Sequence, residues 1–186
     1  MQPPRAIFFV DGENLVFRYQ EMLSAGRKPL SGVVHLPDVL VWHPSVTKYS
    51  AFGGTRVCYY TSVVGDDAAV AATKAEIAKI QFQCRPHPQM DFTGQLVPCV
   101  FKKPARSRKT RNVDIQIIID VMRSAHTTTH DLIFVASGDG DYLPLFNEVM
   151  HTDKQLYVAA FSSGLNPAIR YSVDEFIELD RLFFQS

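Results

Sequence analysis

Residues 5–24 read RAIFFVDGENLVFRYQEMLS and hold two periodicities back to back. From 6 to 10 the run is wholly apolar and ends at Asp11-Gly12, the pattern of a short strand buried on both faces. From 12 to 24 apolar residues recur at 15, 16, 19, 22 and 23, a helical stripe that Ala25-Gly26 closes. Strand, Asp-Gly turn and helix form the first unit of an alternating α/β chain.

The alternation continues outward from that unit. Residues 55–62, TRVCYYTS, are β-branched and aromatic and read as a strand. Residues 66–79 are rich in strong helix formers behind an acidic pair suited to a helix N-terminus. Two strands are expected at 80–86 and 95–101, with Met90-Asp91-Phe92-Thr93-Gly94 as the turn between them. Residues 112–124, NVDIQIIIDVMRS, fit either a strand or a buried helix on pattern alone. Asn112 as a cap, Asp114 in the first turn and Arg123 in the last favour the helix. Strands follow at 131–137 and 154–160, with a helix at 141–151 between them whose Pro144 stands in the first turn. A short helix at 166–172 and a last strand at 175–180 end the chain. Residues 26–54 read as an irregular segment with a short helix near 44–51, and its length leaves a lid or a partner surface open as roles. The expected fold is α/β: a three-layer sandwich with a mainly parallel central sheet, Rossmann-like in outline.

Composition bounds the rest. The chain has 186 residues, 46% hydrophobic, which suits one domain over 1–186. Lysine plus arginine equals aspartate plus glutamate, so only the distribution of charge bears on nucleic-acid binding. Cys58, Cys84 and Cys99 sit singly in apolar runs and read as buried, reduced thiols. No apolar run reaches the roughly 18 residues of a membrane span, and the apolar start runs straight into acidic residues without a cleavage region. A cytoplasmic protein with no membrane partner is expected. The six histidines show no metal-ligand spacing.

Chemistry concentrates where strands end, which is where open parallel sheets bind ligands. Asp11-Gly12-Glu13-Asn14 follows the first strand, Gly138-Asp139-Gly140-Asp141 follows the strand at 131–137, and Asp114 opens a helix. Clustered carboxylates repel one another and need a cation, and hard oxygen ligands select Mg²⁺ or Mn²⁺ over Zn²⁺. Such ions serve phosphodiester hydrolysis. Each piece also has a plain reading. Asp-Gly after a strand is a common turn, Asp114 suits a helix dipole, and Asp139-Gly140-Asp141 resembles a calcium loop but lacks the twelve-residue acidic spacing. It is their joint position at strand ends and a helix start that points to a site.

Together, Asp11-Gly12-Glu13-Asn14 after an apolar strand, Asn112-Val113-Asp114-Ile115 opening an apolar helix that contains Asp120, and Ser137-Gly138-Asp139-Gly140-Asp141-Tyr142 resemble the NYN family of PIN-like nucleases, including the LabA-like and DUF88 proteins. The likeness runs from residue 5 to residue 180, with Asp174-Glu175-Phe176-Ile177-Glu178-Leu179 resembling the family's last strand. Where the family usually has Lys-Gly before the Val-Asp pair, this chain has Arg111-Asn112; no acidic position is missing. The resemblance implies a PIN-like fold and a metal-dependent ribonuclease. In it, Asp11, Asp114, Asp139 and Asp141 bind Mg²⁺ or Mn²⁺ and activate water, while Asn14 bonds Asp11 or a substrate phosphate. Ser137 either positions a phosphate or makes a strand-end hydrogen bond. Asp120 lies six positions past Asp114, about 120° around the helix, and either joins the site or pairs with Arg123.

The run at 102–111, KKPARSRKTR, carries Lys102, Lys103, Arg106, Arg108, Lys109 and Arg111 directly before that helix. It reads as a solvated loop or, beside an acidic site, as a backbone contact for RNA, with single-stranded DNA as a second substrate candidate. Arg18, Lys48 and Arg56 are candidates to extend the track. Two other functions stand beside the nuclease: a non-catalytic RNA-binding or protein-interaction module with a vestigial metal pocket, and a small-molecule phosphohydrolase. The latter wants Asp-x-Asp after the first strand, where this chain has Asp-Gly-Glu. Oligomeric state, metal count and endo- or exonucleolytic mode are not written in these residues.

Overall fold

The computed structural model describes residues 4–49, 53–87, 90–104 and 111–185. Along the chain lie β1 (Arg5–Asp11), α1 (Gly12–Ser24), β2 (Val34–Leu36), β3 (Leu40–Trp42), β4 (Gly53–Val64), α2 (Asp67–Ile77), β5 (Gln81–His87) and β6 (Met90–Gln95). There follow β7 (Val97–Lys103), α3 (Asn112–Ala125), β8 (Leu132–Ala136), α4 (Leu143–Val149), β9 (Gln155–Ala160), β10 (Glu175–Glu178) and α5 (Asp180–Phe183). Single 3-10 turns occupy Pro44–Tyr49, Gly140–Tyr142 and Pro167–Tyr171. No described helix is long and apolar enough to cross a membrane.

Six strands form one parallel sheet in the order β10-β9-β8-β1-β4-β7. A continuously apolar strand is what the middle of such a sheet requires, and β1 supplies it. Ala6, Phe8 and Val10 point into one core, Ile7 and Phe9 into the other. The first core is closed by α1 and the small hairpins, the second by α3 and α4. Helices on both faces make the three-layer sandwich. From β1 the chain moves to β4 and then β7 on one side, then crosses back to β8 and proceeds to β9 and β10 on the other. The order therefore reverses between β1 and β8, leaving a crevice beyond their carboxyl ends.

Local chemistry sets the element ends. Gly26, at φ +89°, takes the left-handed turn that stops α1. Asp66 caps α2 by accepting from the Ala69 N–H at 2.9 Å. At α3 the expected Asn112 cap is not found. The cap position is Arg111, without a side-chain bond, and Asn112 is the first helical residue.

Two expectations are corrected. Residues 90–94 form strand β6 rather than a turn, paired antiparallel with β5. The Phe82 ring lies over Gly94, where a Cβ would come within 2.5 Å of it, and Arg85 pairs with Asp91 at 2.7 Å, so tertiary pairing overrides turn-prone composition. Within 26–54, where an irregular segment was expected, the chain forms the β2–β3 hairpin. Leu40, Val41 and Trp42 are fully buried, the Trp42 indole N–H donates to the Gln81 carbonyl at 3.0 Å, and the Val41 N–H donates to the Tyr59 hydroxyl at 3.0 Å. The hairpin turn is made by Asp38 at φ +60°, a conformation aspartate tolerates.

Candidate active site

The register of β1 on β8 pairs Val10 with Ala136, so Asp11 and Ser137 emerge side by side at the crevice. Asp11 ends β1 and caps α1: its Oδ1 accepts from the Asn14 N–H at 3.0 Å, and its Oδ2 accepts from the Ser137 hydroxyl at 2.9 Å. The Asn14 side chain then reaches across to accept from the Gly138 N–H at 3.1 Å. These bonds tie the β1–α1 junction to the turn after β8 across more than 120 residues of chain. Gly12 makes the approach possible. A Cβ there would stand 2.6 Å from the Tyr60 carbonyl oxygen, so only glycine lets α1 start this close to β4.

Beyond Ser137 the chain makes a tight acidic turn. Asp139 caps the 3-10 turn by accepting from the Asp141 N–H at 3.0 Å, and its own N–H donates to Ser137 Oγ at 3.2 Å. Tyr142 is buried, and its hydroxyl donates to Asp114 Oδ1 at 3.2 Å, tying the first turn of α3 to this loop. Burial and the nearby carboxylates hold the Tyr142 hydroxyl far above its ordinary range, so it stays a donor.

A cleft of about 710 Å³ opens over these groups. It is lined by the carboxylates Asp11, Asp114, Asp139 and Asp141, termed its floor; by Glu13, Asn14, Val16, Phe17, Arg18 and Gln20 of α1, termed its wall; and by Asp38 and Lys103, termed its margin. Asp11 is 3% exposed, and burial pushes its carboxyl up to about 7. Bonds from Asn14 and Ser137 oppose that rise, while Asp114 and Glu13 add to it. Glu13 accepts from the Ser62 hydroxyl and pairs with Lys103 at 3.6 Å.

Of the basic run, Lys103 reaches the cleft, Lys102 turns instead to Asp67 of α2 at 3.4 Å, and Arg111 is exposed at the start of α3. Arg106, Arg108 and Lys109 lie outside the described residues. Arg18 lines the cleft; Arg56 and Lys48 are exposed elsewhere. Ser137 is fully buried, so its hydroxyl stands behind the carboxylates and not on the cleft surface. Asp120 is held away from the cleft by Tyr60 at 2.9 Å, Gln116 at 3.0 Å and Arg123 at 2.8 Å. Sequence reasoning passed over Glu13 and Phe17 as site residues. The signal for Phe17 was available: an aromatic off the apolar stripe of α1.

Among the described residues, no three histidine, cysteine, aspartate or glutamate side chains are grouped as a bound metal would need. The donor set nonetheless fits a hard divalent cation in kind. It is all carboxylate oxygen, and its innermost member, Asp11, is buried where a cation would favour its charge beyond what the Asn14 and Ser137 bonds supply.

A model of the NYN domain family matches residues 5–180. The crystal structure of a protein of unknown function from Vibrio parahaemolyticus superposes with a TM-score of 0.63 at 14% identity, over 99% of this chain and 98% of that one. It shares the fold. A search of curated proteins finds no match.

Proposed function

From the premise that this chain belongs to the NYN domain family, whose members are generally PIN-like nucleases, we propose that it is a metal-dependent ribonuclease hydrolysing phosphodiester bonds in this cleft. The observation that carries the reading is the buried Asp11 at the β1/β8 crevice, bonded to Ser137, with Asp114, Asp139 and Asp141 on the same floor.

Asp11, Asp114, Asp139 and Asp141 would hold Mg²⁺ or Mn²⁺. When bound, such a cation neutralises phosphate charge and lowers the pKa of water. Ser137 and the Asn14 N–H fix the Asp11 carboxylate, Tyr142 fixes Asp114, and Asp139 braces the turn that presents Asp141. Lys103 and Arg18 supply positive charge for a phosphate backbone at the cleft margin. The RNA preference follows the family likeness; single-stranded DNA is the competing substrate. The protein acts as one domain in the cytoplasm on this reading.

The test is cleavage of labelled single-stranded and structured RNA, with single- and double-stranded DNA alongside, in Mn²⁺, Mg²⁺ or EDTA. Metal-requiring cleavage that vanishes in Asp11→Asn and Asp139→Asn supports the nuclease. Binding of RNA without cleavage under any metal makes the chain a nucleic-acid-binding module.

A further inference from the structure

We propose that Phe17 is a stacking platform for an unpaired nucleobase, so that the cleft takes single-stranded nucleic acid and excludes the duplex. The inference rests on the nucleic-acid reading of the same cleft and names the form of substrate that enters it.

The buried stripe of α1 is Leu15, Val16, Tyr19 and Met22, and Phe17 stands off it with 60% of its surface exposed. Its ring is therefore not needed to close the core. It lies one helical turn from Glu13 and Asn14, on the face of α1 that walls the cleft. Arg18 covers one side, its guanidinium carbon 5.0 Å from the ring centroid. That guanidinium is itself held by Glu21 at 3.1 Å and backed by Gly164, at φ +63°, where any side chain would run into it. The ring is thus braced by one guanidinium and otherwise largely exposed, which suits stacking of a second flat π system.

The surroundings select a nucleotide over a protein partner. Glu13, Asn14, Arg18, Gln20, Asp38 and Lys103 line the cleft with Phe17, and the other large apolar side chain of that lining, Val16, is buried, so Phe17 is its one exposed large apolar group among the described residues. In the same cleft the Gln20 amide donates to Asp38 at 3.2 Å, which adds hydrogen-bonding groups to the lining that a base edge could use. Bases in a duplex are paired and stacked already and have no free face to offer, whereas splayed single-strand bases do.

The test uses the full chain carrying Asp139→Asn, so that the strand stays whole, with Mg²⁺ present. The probe is a short oligouridine with one 2-aminopurine, whose fluorescence falls on stacking. Quenching on binding is expected. Adding Phe17→Ala should abolish the quenching and weaken binding about 5- to 150-fold, the range that one base–aromatic stack is worth; Phe17→Trp should restore both. A strand of abasic residues should bind alike with or without Phe17→Ala, and a duplex of the same sequence should compete poorly. Unchanged quenching and affinity in Phe17→Ala, equal loss on the abasic strand, or no binding at all would overturn the proposal. Failure of the nuclease reading looks different: the wild type cuts nothing while the Phe17-dependent quenching persists.

Discussion

The floor and the α1 wall of the cleft are built by opposite rules. The floor is made from the end of β1, the turn after β8 and the first turn of α3, and its side chains are held by their neighbours: Asp11 by Ser137 and Asn14, Asp139 by its own turn, Asp114 by Tyr142. The wall is the solvent face of one helix, and Phe17 and Gln20 there carry none of the core's packing. Groups that must hold charge in place belong to the part of the fold that cannot move. Groups that meet the substrate sit where replacement costs the fold little.

That contrast can be broken experimentally, and the largest effect should come from the floor. Asp139→Asn is expected to lower metal-dependent cleavage on the order of 10³-fold or more in kcat, with oligonucleotide binding retained, measured by single-turnover cleavage beside a binding titration. Gly12→Ala tests whether the floor depends on the close seating of α1. The added methyl has no room against Tyr60, so unfolding in urea should report a loss of about 3 kcal/mol, whereas a substitution on the exposed wall should stay within about 0.5 kcal/mol. Ser137→Ala removes one donor from Asp11 and the partner of the Asp139 N–H, and should lower activity about 10- to 100-fold through kcat rather than KM.

The same rules predict a pH signature in the metal-free protein. The Asp11 carboxyl is raised to about 7 in the fold, so the native state holds a proton that the unfolded chain releases near 3.8. Stability should fall as pH rises from about 4 to 7 and level off above, and Asp11→Asn should flatten that slope, read as thermal midpoints in EDTA. The smallest effect belongs to the cleft margin. Lys103→Gln should weaken oligonucleotide binding modestly and reduce the salt slope of log K by about one, without moving the thermal midpoint. A large stability loss there would erase the distinction between floor and margin.

Most of the frame is legible in the sequence because parallel strands buried on both faces leave continuous apolar runs. RAIFFV, LIFVA and the alternation around them locate the sheet, and the acidic pieces at their ends locate the crevice. What escaped reading was set by side-chain partners outside each segment. The strand at β6 exists because Gly94 fits under Phe82, and the three-residue strands of the β2–β3 hairpin exist because Trp42 and Leu40 find the core. In the site, Asp-Gly-Glu-Asn and Ser-Gly-Asp-Gly-Asp gave the carboxylates. That Ser137 faces inward, and that Lys102 and Lys103 diverge, follows from pleat and register, which no linear motif records.

The bond between Ser137 and Asp11 joins residues 126 positions apart, and time enters the description through it. A chain made from its N-terminus at 5–20 residues per second has Asp11 for roughly 6–25 s before Ser137 is added. Through that interval β1 lacks its β8 neighbour, and the acidic turn that completes the floor has not been synthesised. If the cleft cuts RNA, its assembly is deferred by connectivity alone: the growing polypeptide stays harmless to the message it is being read from until the turn after β8 has left the ribosome.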